Sequence, residues 1–407
     1  MTIYLSQKNF VENEYEFVER KGIGHPDTLS DALAETLSAK YSKYTLAKFG
    51  AVLHHNFDKV GLLGGASFVK FGEGHLTKPI RVLLNGRAST KFADTEIPVK
   101  EMLIEWAKEF MGKAFPMIDV EKDLEFHYNL SNQSSPGKTE EKKADKGTRK
   151  YWFEPRGLFD LQETKKLLSN DTSMGVGYAP YTRLESLVLA IEGKLNSAEF
   201  KKDHPWMGSD IKIMGFRFKD DFDVTLCIPQ ISMYVADIDE YKRNIEFARS
   251  VIFDIAKDMG INKLDLHTNT RDNYENSELY LTATGSSIES GDEGLVGRGN
   301  RINGVIAPTK LMSMEGACGK NPVYHIGKLY YVAANEISKR IYEKFNIPNE
   351  VVLISQSGRD LLDPWVSHIS VPTDFKDLAA VKEFVAEQLT KISEFTPLLL
   401  DQKVQMF

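Results

Sequence analysis

Apolar residues recur at helical spacing in six stretches of the chain. Between Asp27 and Phe49, Leu29, Leu33 and Leu37 fall four apart. Pro26 stands just ahead of this run and Gly50 just after it, the order expected of a helix start and stop. Val99–Met111 aligns Met102, Trp106 and Phe110 along one face. The same periodicity predicts helices over Arg183–Leu195, Ile238–Met259, Pro322–Phe345 and Ala379–Ile392. Shorter apolar runs bounded by turn residues read as strands. The first two, Ala51–Phe57 and Val60–Phe71, are expected to be joined by a tight turn. The others are Pro79–Gly86, Leu124–Leu130, Asp210–Phe218, Val224–Val235, Leu264–Asn269, Leu279–Thr284, Val351–Ser355 and Val366–Val371. Residues 131–150 break the pattern. Acids and bases are mixed there with almost nothing apolar, which favours a solvated loop over a nucleic-acid patch.

The six helices are spaced as three pairs with strands between the members. This order predicts an α+β fold of three copies of one small α/β unit, each a sheet with helices on one face. No sequence repeat accompanies it, so the expectation rests on element order. The expected divisions are a first unit over 1–130, a charged loop or linker over 131–156, a second unit over 157–275 and a third over 276–407.

Composition narrows the class. A chain of 407 residues, 42% apolar and 27% charged, is ordinary for a soluble protein and long enough to bury a large core. A net charge of −7 argues against coating nucleic acid, so an anionic ligand would need a local basic pocket. Cys227 and Cys318 cannot make a disulfide framework and read as free thiols in a reducing compartment. The N-terminus lacks a basic stretch followed by an apolar run, and no segment is apolar for long enough to span a bilayer. A cytoplasmic enzyme is the expected class.

Four clusters could carry chemistry. In Glu19–Thr28, glycines let the backbone turn sharply ahead of a helix N-terminus, which favours phosphate oxygens. Lys21 and His25 could add positive charge or hydrogen bonds there. Asp27 and Asp31, four apart on one helix face, suit a shared cation, while capping of the helix is the alternative for Asp27. In the expected strand over Asp210–Phe218, Asp210 and Lys212 would point to one face, where a surface ion pair is the plain alternative. Gly285–Arg301 combines many glycines with acids and arginines. Its amides could cradle phosphates, Arg298 and Arg301 could neutralise them, and Asp292 could hold a metal or a ribose hydroxyl. Gly316–Pro322 precedes a helix in the same way, but Lys320 is not followed by Ser or Thr, so it is no standard phosphate loop. From the residues alone the chain reads as a binder of a polyphosphate with divalent cations.

Gly24-His25-Pro26-Asp27, within the run Glu19–Leu29, resembles the signature of S-adenosylmethionine synthetases of the archaeal-type branch. Further matches follow in family order: His54-His55-Asn56 with Asp58-Lys59, Asn170–Ser173 with Gly175–Pro180, Asp210–Gly215, Gly291–Arg301, and Met312–Glu315 leading to Gly319–Pro322. The resemblance implies three intertwined α/β units related by pseudo-threefold symmetry. It also implies a homodimer or dimer of dimers with active sites at the subunit interface, two Mg²⁺ ions and K⁺. Residue by residue, His25 matches the histidine beside the triphosphate and bridging oxygen, and Asp27 a magnesium ligand. Asp31 and Asp58 are further metal or supporting groups. Asp210 and Lys212 match a pair contacting ATP, Asp292 an acid near the nucleoside and methionine, and Arg298 and Lys320 phosphate-binding cations. Asp171, Lys21 and Arg301 join them as substrate-binding residues. The implied reaction is attack of the methionine sulfur on ATP C5′, then hydrolysis of triphosphate to phosphate and pyrophosphate.

Two departures accompany the resemblance. Residues 146–161 are rearranged where the branch carries a Gly-rich stretch. Tyr324-His325 stands where the common bacterial branch has a second lysine, and His325 either substitutes for that lysine or is a core residue. Cys318 beside Lys320 is either an oxidation-sensitive thiol or a buried inert one. An altered-substrate paralogue, a catalytically dead partner subunit and a metal-dependent triphosphatase are the rival functions. The dead subunit is disfavoured by the presence of His25, Asp27 and Lys212.

Overall fold

The computed structural model of the chain describes residues 2–133 and 151–407. Most of the charged stretch at 131–150 therefore lies outside the described residues.

Each of the three helix pairs backs its own sheet and core. The Pro26–Phe49 and Val99–Ala114 helices enclose Leu33, Leu37, Val82 and Leu103. Their sheet runs Leu124–Ser131, Ile80–Ala88, Gly61–Leu63 and Glu293–Leu295, with His55–Asn56 also pairing on Ile80–Ala88. The Arg183–Leu195 and Ile238–Asp258 helices pack Leu187, Ile191 and Ile252 onto Val18 and Val224. Those two valines belong to a sheet of Leu264–Thr268, Asp221–Cys227, Lys212–Phe218 and Tyr15–Lys21. The Ile326–Phe345 and Leu378–Leu389 helices cover Ile3–Lys8, Val366–Pro372, Asn349–Ile354 and Met174–Ala179. Gly175 and Gly177 let that last strand lie directly against the Ile326–Phe345 helix, since a Cβ on either would strike the helix backbone.

The units interlock. Ile3–Lys8 pairs in parallel with Val366–Pro372, from the far end of the chain. Tyr15–Lys21 joins Lys212–Phe218, and Glu293–Leu295 completes the sheet of Gly61–Leu63. Sequence pattern misses Ile3–Lys8, Met174–Ala179 and Glu293–Leu295, whose partners are far away along the chain.

Several expectations need correcting. The runs at 51–57 and 60–71 do not form a hairpin. His55–Asn56 and Gly61–Leu63 both pair with Ile80–Ala88, and Ala66–Lys70 pairs with Glu73–Lys78. On the Val99–Ala114 helix the buried row is Val99, Leu103, Ala107 and Met111, while Met102, Trp106 and Phe110 form the partly buried row beside it. The strand expected from Asp210 begins at Lys212. The strand expected over Leu279–Thr284 shrinks to Leu281–Thr282. The helix expected from Pro322 begins at Ile326, with His325 as its cap.

Candidate active site

The site forms where the first helix meets segments from all three units. Past the end of Tyr15–Lys21, backbone bonds to the segment ahead of Lys212–Phe218 continue: the Gly22 N–H donates to Ile211 O at 2.8 Å and the Gly24 N–H to Ser209 O at 3.0 Å. A Cβ on Gly24 would sit 2.5 Å from Ser209, so this turn requires glycine for close approach. The turn delivers His25 to the helix N-terminus. There the His25 Nδ1 accepts the Asp27 N–H at 3.2 Å. Burial lowers the His25 pKa, so the ring is neutral at pH 7, and with Nδ1 accepting, its proton lies on Nε2.

Asp210 lies beside this turn. It accepts from the Ser287 N–H at 2.9 Å, the Ser287 hydroxyl at 2.6 Å and the Tyr280 hydroxyl at 3.3 Å. Burial pushes its pKa up. Lys212 and Asp210 both lie close enough to act on His25, but Lys212 is the exposed one of the two. Its side chain is 47% exposed and faces Glu19 at 3.3 Å. The two do not form the surface ion pair that was the plain alternative: Lys212 faces Glu19, and Asp210 accepts from Ser287 and Tyr280.

The glycine-rich loop is clamped onto the first helix. Asp27 Oδ1 accepts the Leu295 N–H at 3.0 Å, and Asp31 Oδ1 the Gly297 N–H at 2.9 Å. Gly294 passes so close to Pro26 that no Cβ would fit. Arg301 is buried and spends its guanidinium on the carbonyls of Gly297, Gly299 and Ser313 at 2.6, 2.8 and 3.3 Å. Asn300 exchanges two bonds with the backbone of Lys21, at 2.9 and 2.7 Å. The loop's entropy is thus fixed by side chains that receive its amides and carbonyls. Asp292 and Arg298 remain exposed on its surface. Sequence reasoning passed over Glu289. Its buried carboxylate accepts from the Ala283 and Thr284 N–H groups at 2.7 and 2.5 Å, and from the hydroxyls of Thr284 and Ser67 at 2.6 and 3.0 Å.

Two buried lysines hold carboxylates. Lys21 Nζ donates to Asp27 Oδ2 at 2.8 Å and Arg298 O at 2.7 Å. Lys320 Nζ lies 3.0 Å from Asp58 Oδ2, 2.6 Å from Glu315 Oε1 and 2.6 Å from Gly316 O. Asp58 also meets Lys59 at 2.7 Å. The two lysines hold its pKa down at about 2, against the cost of burial. Asp31, held by backbone groups, is pushed up by burial to about 7. Glu315, which carried no assigned role, also accepts the Ser173 hydroxyl at 2.5 Å. Asp171 is exposed and accepts the N–H of Thr172 at 2.7 Å. A cavity lined by Asp31, Gly297, Arg301, Glu315, Gly316 and Tyr331 lies where the glycine loop meets the Lys320 loop.

The departures have physical counterparts. His325 caps its helix, Nδ1 accepting the Gly327 N–H at 3.2 Å, and burial lowers its pKa well below the ordinary value. It is neutral, so it does not replace a lysine's charge. Of the rearranged segment, residues 151–161 are described. Trp152 stacks on His54 at 5.5 Å, and Asp160 is buried against Arg156. His54 also meets the Tyr324 hydroxyl at 2.7 Å. The Cys318 thiol is buried and its pKa raised, which makes it the inert alternative.

Among the described residues, Asp223, Asp265 and His267 form the one three-residue group with ligand atoms close enough to share a metal ion, and all three are exposed. They lie on two neighbouring strands of the second sheet, Asp223 on the inner strand Asp221–Cys227 and Asp265 and His267 on the edge strand Leu264–Thr268, and none of them is a predicted metal ligand.

The sequence profile described as S-adenosylmethionine synthetase (AdoMet synthetase) matches residues 2–403. An S-adenosylmethionine synthase of Thermoplasma volcanium is 38% identical, over 99% of this chain and 98% of its own length. The probable S-adenosylmethionine synthase of Aquifex aeolicus is 40% identical over 94% and 93%, and the synthase of Methanocaldococcus jannaschii 39% over 97% and 96%. Among solved structures, an unusual S-adenosylmethionine synthetase from Campylobacter jejuni superposes with a TM-score of 0.58 over 96% of this chain and 94% of its own. At 14% identity, that likeness speaks for the fold alone.

Proposed function

Since the chain belongs to the S-adenosylmethionine synthetase family, we propose that it joins ATP and L-methionine into S-adenosyl-L-methionine and then splits the triphosphate into phosphate and pyrophosphate. What supports this most is the N-terminus of the first helix, where a neutral His25 with its proton on Nε2 lies among Lys21, Asp27 and Asp210. Methionine sulfur is nucleophilic without a base, so the protein must supply alignment and charge stabilisation. The His25 Nε2–H donates to the oxygen that bridges ribose and triphosphate. Lys21, Lys320, Arg298 and Lys212 receive the triphosphate oxygens. Asp210 and Asp292 orient the nucleoside and methionine, Asp171 and Arg301 shape the pocket, and Asp31 positions the glycine loop.

The donor set suits a hard divalent cation. Asp27 and Asp58 present carboxylate oxygens that are already matched to a positive charge. Bound Mg²⁺, two ions by family analogy, neutralises charge that builds on the triphosphate, and K⁺ is the monovalent activator.

The working form is a homodimer, or a dimer of dimers, in the cytoplasm. Tyr15, Phe17, Met214, Phe216 and Phe218 are exposed on one face of the second sheet, and Phe17 stacks on Phe216 at 5.6 Å. A patch of this kind favours a partner. Lys21 and Lys212 occupy the end of the same face in register, so a second copy seated on it would close over the site. The three sheet-and-helix units are related by a pseudo-threefold axis, with divisions near 130, 156 and 275. No helix among the described residues is long and apolar enough to cross a membrane.

Incubation with ATP, L-methionine, Mg²⁺ and K⁺ should yield S-adenosylmethionine, phosphate and pyrophosphate by chromatography and mass. His25→Ala should lower the rate by about 10²–10³-fold. ATP consumption without a sulfonium product would reject the assignment in favour of a triphosphatase or an altered-substrate paralogue.

A further inference from the structure

Lys21 and Lys320 are proposed above to hold phosphate, yet neither is turned to solvent. Lys320 Nζ is surrounded by three oxygens at 2.6–3.0 Å, from Asp58, Glu315 and Gly316, which uses all three donors of an ammonium group. Lys21 Nζ lies between Asp27 and the Arg298 carbonyl. The lysine and aspartate side chains of both pairs are nearly buried, 11% and 8% exposed in one and 6% and 8% in the other. Carboxylate and carbonyl oxygens around a compact positive charge are also the ligand set of a hard divalent cation. Buried carboxylates left without a counter-charge are costly, and here the two lysines supply that charge.

We infer that the Lys21 and Lys320 ammonium groups act as stand-in cations on Asp27 and Asp58, and exchange partners when a divalent cation and a polyphosphate arrive together. The lysines, on flexible four-carbon stems, turn to phosphate oxygens, and the vacated carboxylate oxygens take the metal. Each carboxylate keeps a counter-charge throughout, and each lysine exchanges its charge-assisted bond to a carboxylate for one to phosphate. Metal and polyphosphate therefore bind with positive coupling: either alone meets a site already neutralised by the protein. The inference rests on the proposed phosphate role of the two lysines. A purely structural ion pair predicts the opposite response to mutation, namely loss of stability with no gain in metal affinity.

The test is Mn²⁺ binding to the full chain, followed by electron paramagnetic resonance without nucleotide or methionine. Wild type should bind Mn²⁺ weakly alone and at least about tenfold more tightly with inorganic tripolyphosphate. Lys21→Met should bind Mn²⁺ alone roughly tenfold more tightly than wild type, because Asp27 is freed, and should lose most of the tripolyphosphate enhancement. Lys21→Arg, which keeps the charge, should not gain Mn²⁺ affinity alone. Lys320→Met should behave like Lys21→Met. If it does not fold, Lys21→Met and the wild-type comparison carry the test. Equal Mn²⁺ affinity of wild type with and without tripolyphosphate, or no gain in Lys21→Met, overturns the inference. No turnover is involved, so failure to form S-adenosylmethionine would reject the functional assignment separately.

Discussion

Asp31 and Asp58 both have buried carboxyl groups, one against the glycine loop and one against the Lys320 loop, yet their pKa values move in opposite directions. Asp58 has two lysines within 3.0 Å and is pulled down to about 2. Asp31 leans on backbone amides, with Arg301 more distant, and burial raises it to about 7. The difference shows that burial alone does not decide ionisation here. A full counter-charge in contact outweighs desolvation, and partial backbone dipoles do not.

Removing the counter-charge should break the contrast most severely. Lys320→Ala leaves Asp58 and Glu315 without their shared ammonium, and should cost about 3–5 kcal/mol. Denaturant unfolding would measure it, and a cost below about 1 kcal/mol would mean that Lys59 and solvent suffice. The next effect is one of pH. Because the folded-state pKa of Asp31 is raised, the unfolded chain releases that proton first. Stability from this group is therefore present at low pH and declines as pH rises from about 4 to about 7. Asp58 acts the other way, losing stability as pH falls from about 4 to about 2. Asp31→Asn should make the decline between pH 4 and 7 shallower and leave the acid limb. Thermal melts across that range would show it, and an unchanged slope would reject the protonated Asp31. The smallest effect sharpens the comparison from the other side. Lys59 is 70% exposed, so Lys59→Ala should cost less than about 1 kcal/mol and leave the acid limb in place.

Much of the architecture is legible in the sequence because helices declare themselves locally. Pro26 and Gly50 bracket the first helix where expected, and the Ile238–Asp258 helix departs by one residue. Strands depend on distant partners, so Glu293–Leu295, paired to Gly61–Leu63 across more than two hundred residues, carries little local signal. On the helix at 99–114 the aligned Met102, Trp106 and Phe110 do pack against the core, but the deepest row beside them, which includes the small Ala107, carries less signal in the sequence. In the site, His25, Asp27 and Lys320 stand out as charged or polar groups beside glycines. Glu289 and Glu315 do not, because their roles come from amides, hydroxyls and an ammonium that only the fold brings together. Asp210 is read as a strand residue for want of any signal that the regular strand begins only at Lys212, although isolated backbone bonds from Gly22 and Gly24 still reach Ile211 and Ser209.

The parallel strand at Ile3–Lys8 has a consequence for how the chain is made. It is synthesised more than three hundred residues before its partner Val366–Pro372. Until that partner is made its hydrogen-bonding edge has no native neighbour, so the third sheet cannot close earlier. Nascent chains of this protein should stay dependent on chaperone protection until Val366–Pro372 emerges, however early the first helix forms.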